Sequence, residues 1–286
     1  MKLTRIVILV IALLLMCTGG AVFAEENDSE PVDEAVEATQ AQEDLKKQME
    51  ADKTGTNPLI FSFDARLYHE YQGLNTTGDG AQNVTTLEFR TPFAGGKWQF
   101  RGKIRGVGRT ADNDGDGIDD VDEYGLGDTD LRFMTIPYLK KFGVATGVEL
   151  FLDTASEDVL GSGADKVAPF VFFGLFNKLG KGSLIAPGYQ HVVSYDEAEG
   201  RSDVHQGIID IFIVKTFKSA KYFAYVDPQI VLDYENSTEF MLLEIQAGMM
   251  VGPAGHSMWI MPSFGVGQFR PYDFSVELGY KIVWGG

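Results

Sequence analysis

From Leu59 to the C-terminus, hydrophobic and polar positions alternate with a period of two. Leu59, Phe61, Phe63, Ala65 and Leu67 share one face, and Ser62, Asp64, Arg66, Tyr68 and Glu70 share the other. Leu87, Phe89 and Phe93 oppose Glu88 and Arg90. Trp98, Phe100 and Ile104 oppose Gln99, Arg101, Lys103 and Arg105. At the end of the chain, Phe274, Val276, Leu278, Tyr280, Ile282 and Trp284 alternate with Glu277 and Lys281. About twelve such segments run over 59–72, 83–93, 97–109, 126–138, 141–153, 167–178, 183–195, 204–217, 221–235, 238–251, 255–268 and 273–284. Those near 167–178 and 255–268 alternate poorly.

Segment length decides what these strands are for. Strands of soluble proteins run to about 5–6 residues, whereas a tilted strand crossing a bilayer needs about 9–11. A dozen long strands with one apolar and one charged face predict an all-β fold, a transmembrane antiparallel β-barrel that closes on itself because lipid offers no partner to an open edge. The competing reading is a secreted sandwich or lipocalin-like barrel with its apolar face inward. Alternation alone does not separate inside from outside. The aromatic residues near strand ends, Tyr71, Phe93, Trp98, Tyr138, Phe217, Tyr234 and Trp284, favour lipid on the apolar face, because an interfacial girdle needs them there. The alternation ending at Trp284 also resembles the C-terminal signal read by the barrel-assembly machinery, although Gly285 and Gly286 follow it.

The N-terminus supports export. Lys2 and Arg5 precede an unbroken apolar run from Ile6 to Met16, and Val22-Phe23-Ala24 is a cleavage sequence. The run is too short to span a bilayer and reads as a signal peptide over 1–24. Residues 25–58 form an acidic spacer without aromatic residues, either a solvated tether or a short helix over Val32–Ala51 on the periplasmic side. The 59–286 region is the barrel. The sole cysteine, Cys17, lies in the signal, which excludes disulfides and cysteine metal sites in the mature chain. The 286-residue chain holds 24 Lys and Arg against 41 Asp and Glu, a net charge of −17 that becomes −19 once the signal is gone. That balance argues against a nucleic-acid partner.

The stretch Gly125-Leu126-Gly127-Asp128-Thr129-Asp130-Leu131-Arg132-Phe133, with Ala186-Pro187-Gly188-Tyr189-Gln190 and Asp227-Pro228-Gln229, resembles a broad family of Gram-negative outer-membrane barrels labelled as transporters of the phenol-degradation meta pathway. The resemblance covers roughly 59–286. It implies an outer-membrane barrel that passes small, aromatic or polar, solutes, and it brings no catalytic residues.

With the apolar face in lipid, the polar face lines a lumen. The early strands then place Arg66, Arg90, Arg101, Lys103, Arg105 and Arg132 inside, and the late strands Asp210, Asp227, Asp233, Glu244 and Glu277. The expected result is a basic wall facing an acidic one, which orients dipolar solutes. Asp64, Glu70, Glu88, Asp130 and Glu149 make the segregation partial. The same charges equally suit a salt-bridged network that plugs a narrow lumen, since twelve strands lie between the filled barrels of about 8 and the open channels of about 16. Function is thus read as a narrow channel for passive uptake of small solutes, or as a structural or adhesion barrel with a plugged lumen.

One connection has the oxygen spacing of a calcium loop. With Asp112 as position 1, oxygens fall at Asp114, Asp116, Asp120 and Glu123, Gly117 provides the turn, and the Ile118 carbonyl completes a possible Ca²⁺ set. The spacing departs from an EF-hand, since Ile is one position early and no helices flank the loop. A solvated acidic loop is the alternative. Catalysis has little support. His191 lies three residues before Ser194 and His256 one before Ser257, spacings that put each pair on opposite faces of a strand, so an outer-membrane hydrolase is the least favoured reading.

Overall fold

A computed structural model describes residues 54–75, 80–112, 120–140, 142–197, 201, 203–217, 220–252 and 255–284. The predicted signal, the spacer up to residue 53 and the middle of the acidic connection (113–119) lie outside the described residues.

The strands are β1 (Phe63–Leu74), β2 (Gly80–Phe93), β3 (Trp98–Ala111), β4 (Val121–Leu126), β5 (Thr129–Leu139), β6 (Gly143–Leu152), β7 (Ala164–Phe176), β8 (Ser183–Glu197), β9 (His205–Phe217), β10 (Tyr222–Asp233), β11 (Thr238–Met250), β12 (His256–Val266) and β13 (Tyr272–Trp284). Each pairs antiparallel with its neighbour, and β13 pairs with β1, Trp284 standing opposite Phe63 and Leu278 opposite His69. The sheet therefore closes. It closes with twelve staves rather than thirteen, because β4 and β5 are two halves of one. β4 pairs with the end of β3 and β5 with its start. The break at Gly127 and Asp128 shifts the register by one residue, and the Gly127 N–H still donates to the Arg105 carbonyl at 3.0 Å.

The alternation sets the two faces. Leu67, Leu87, Ile104 and Leu278 stand exposed on the outside, and Glu88, Arg101, Glu149 and Lys281 are buried within. An outer belt of bare aliphatic side chains over a charged interior is the transmembrane arrangement, the inverse of a soluble barrel. All seven expected girdle aromatics are exposed on it. Phe63 packs on Trp284 (5.2 Å) and Phe93 on Trp98 (6.5 Å) at the end carrying the termini, and Tyr71 on Phe274 (5.9 Å) at the other. Connections at the terminal end are short turns, such as 94–97 and 140–142. At the opposite end 112–120 and 153–163 are longer, while the turn 234–237 is as short as 94–97.

Two segments depart from the sequence reading. Leu59 does not continue the lipid face. Its amide bonds the Asn57 side chain (2.9 Å), and the turn to Ile60 carries the chain into the barrel mouth. There Leu59 is fully buried in a lumen cluster with Met134, Phe170, Phe172 and Leu184, and alternation begins only at β1. The end of the acidic spacer follows it inside. Thr54 is buried, and Thr56 and Pro58 line the cavity.

Candidate functional site

The lumen encloses a cavity of about 800 Å³ reached by side chains from every stave of the barrel. Ten of the eleven expected lumen charges line it: Arg66, Arg90, Arg101, Lys103, Arg105, Arg132, Asp210, Asp227, Glu244 and Glu277. Asp233 does not. It falls at the end of β10, where its carboxylate caps the tight turn to β11 by accepting from the Asn236 backbone and side-chain amides, both at 3.0 Å. Its parity faces the lumen, but its position is on the rim.

The basic wall is braced from within. Antiparallel register aligns Asp64, Arg90, Arg101, Arg132 and Glu149 in one row across β1, β2, β3, β5 and β6. The next row aligns Lys281, Arg66, Glu88, Lys103 and Asp130. Glu88 lies 2.6 Å from Arg90, 3.5 Å from Arg66 and 3.8 Å from Lys103. Glu149 accepts from both Arg101 and Arg132, and Gln190 adds a bond at 3.3 Å. Asp130 takes Arg105 in a two-pronged pair at 2.6 and 2.9 Å. Arg66 also donates to the Gly55 carbonyl at 2.8 Å, tying the entering segment to this wall.

The acidic wall has no such bracing. Asp227 stands directly opposite Glu244, and Glu70 opposite Glu277. Their hydrogen bonds come from neutral groups: Gln229 to Asp227 (3.1 Å), Tyr225 to Glu244 (3.4 Å) and the Trp259 indole to Glu277 (2.6 Å). Glu70, read from its strand as an exception on the basic side, lies at the β1–β13 seam and joins the acidic wall. Between the walls Phe172, Phe212 and Tyr225 line the lumen. The aromatic rings lie across glycines, Phe172 over Gly188, Phe223 over Gly248 and Trp259 over Gly279. A Cβ at any of the three would lie within about 2.2 Å of the ring. Sequence reasoning missed this aromatic packing, for which the glycines inside strands were the available signal.

The calcium-loop residues are divided. Asp112 follows β3, Asp120 precedes β4, and Glu123 is an exposed residue within β4 opposite Arg109 rather than part of a loop. Asp114, Asp116 and Ile118 lie outside the described residues. Among the described residues no three His, Cys, Asp or Glu side chains gather as a metal-holding group. His256 faces outward to Tyr280 while Ser257 is buried inward, and His191 faces outward beside Tyr189 at 3.1 Å.

No family model matches the sequence, and no curated protein is similar to it. Solved structures of similar fold include the COG4313 outer membrane channel from Pseudomonas putida F1, at 12% identity and a TM-score of 0.62, covering 78% of this chain and 96% of that one. They also include the KdgM porin, at 9% identity and a TM-score of 0.52, covering 78% and 99%, which has been solved in complex with disordered oligogalacturonate as well. At these identities the likeness is one of architecture: the chain folds as a closed twelve-stave barrel of the outer-membrane type.

Proposed function

We propose that this protein is an outer-membrane channel for passive uptake of small solutes, exported by its signal peptide and inserted by the barrel-assembly machinery. The carrying observation is the cavity of about 800 Å³ lined by charge inside a barrel whose exterior suits only outer-membrane lipid. The channel and porin of similar fold support the reading. So does the motif resemblance to meta-pathway transporters, whose solutes are small and aromatic or polar; six of its residues, Asp128, Asp130, Arg132, Gln190, Asp227 and Gln229, line this cavity. The terminal end would then face the periplasm and the end with the longer loops the exterior. Full-length protein in planar bilayers should give discrete conductance steps. Persistent silence would overturn the channel.

The plugged-barrel reading has one observation of its own. Thr54–Leu59 enters the mouth at the terminal end, where Leu59 is buried. Leu59→Gly should therefore raise single-channel conductance; an unchanged value would show that the segment does not restrict the path. The acidic connection is proposed as a structural Ca²⁺ loop that stiffens the outer rim. Its cleavage by protease should be slower with calcium than with chelator, and Asp114→Asn with Asp116→Asn should abolish the difference.

A further inference from the structure

The contrast between the walls points to a solute class, an inference that rests on the channel reading. Arg101 and Asp227 are 9% and 6% exposed, and both line the cavity. Each leaves a buried polar atom without a partner, Nε of Arg101 and Oδ1 of Asp227, and Oδ1 of Asp210 is in the same state.

On the basic side the six cations Arg66, Arg90, Arg101, Lys103, Arg105 and Arg132 share four carboxylates, Asp64, Glu88, Asp130 and Glu149, so positive charge is left over. On the acidic side Asp210 of β9 stands opposite Gln229 of β10, which makes it the diagonal neighbour of Asp227 on the lumen face. No lysine or arginine among the described residues lies within ion-pair distance of either. Oδ1 of each has no donor, and the only donor to Asp227 among the described residues is the neutral Gln229 amide, a costly arrangement in a buried site. A group that brings positive charge and several N–H donors relieves it, and an ammonium has three. Arg101, Arg132, Asp210 and Asp227 line the same cavity, so the two charged regions face one space. Phe212 and Tyr225, with ring centroids 4.9 Å apart, offer an apolar surface beside the carboxylates.

We propose that the lumen selects small zwitterions with an apolar body. The ammonium lies on Asp210 and Asp227, the carboxylate on the spare donor of Arg101, and the body against Phe212 and Tyr225.

The test uses full-length protein in micelles and in lipid vesicles, with three probes of one shape: L-phenylalanine, 3-phenylpropanoate and 2-phenylethylamine. Equilibrium dialysis should show L-phenylalanine bound about tenfold tighter than either singly charged analogue, the ratio expected for one charged hydrogen-bonded contact. Asp210→Asn with Asp227→Asn should remove that preference and leave 3-phenylpropanoate binding intact. Asp227→Glu, which keeps the charge, should retain it, provided each variant shows the heat-modifiable migration of a folded barrel. Equal binding of the three probes, or an unchanged preference in the double variant, overturns the site. The channel reading fails separately: selective binding in micelles with no swelling of vesicles and no conductance keeps the site and removes the transport.

Discussion

The two walls of the lumen belong to one sheet and both bury carboxylates, yet they solve the charge problem in opposite ways. Across β1 to β6 every described cation of the two central rows has a carboxylate beside it, and Glu88 and Glu149 each serve at least two. Across β9 to β13 the carboxylates meet each other, and their partners are an amide, a phenol and an indole. A braced wall holds its own shape. An unbraced wall holds charge in reserve. The first is what a barrel interior needs for stability, and the second is what a passing solute can use.

Breaking the brace should have the largest effect. Glu149 is almost fully buried between Arg101 and Arg132. Glu149→Gln leaves two guanidiniums facing each other and should cost about 3–5 kcal/mol. Urea unfolding in lipid vesicles measures it. A cost as small as that of the matching Asp227→Asn substitution would show that the walls do not differ in the way argued.

The next effect lies outside both walls and tests which face meets lipid. Leu67, 55% exposed on β1, is flanked by lumen-facing Arg66 and Tyr68. Leu67→Arg should cost about 2–4 kcal/mol near the bilayer midplane, by the lipid-face scale. Tolerance of that change, measured by the same unfolding, would mean that the exposed aliphatic belt is not in hydrocarbon.

The sequence carried the architecture because most strands have one charged and one apolar face, and a period of two over more than ten residues has few explanations. It became obscure where that contrast vanishes. In β7 the inward residues Ala168, Phe170 and Phe172 are buried, the two phenylalanines in the cluster around Leu59, so along this stretch both faces are apolar. In β12 Trp259 and Met261 turn inward, Met258 and Ile260 outward. The charged lumen residues were legible from parity, but two things were not. Parity does not tell a rim residue from a lining one, which is why Asp233 was misplaced. Nor does it say which carboxylates have cationic partners, because that depends on register between strands distant in sequence, such as β3 and β6 for Arg101 and Glu149.

The smallest effect is the sharpest test of the unbraced wall. Asp227 faces Glu244 directly across β10 and β11, and like charges so placed repel by about 0.2–1 kcal/mol. Asn has the same shape and can keep the bond to Gln229 by presenting its carbonyl oxygen. Asp227→Asn should therefore leave the barrel as stable as before or more stable by about that amount. In a salt gradient its reversal potential should move toward anions, because a fixed negative charge has left the cavity. A loss of stability above 1 kcal/mol would mean that Asp227 has a cationic partner in the folded protein. In that case the acidic wall is braced after all, and its charge is not available to a solute.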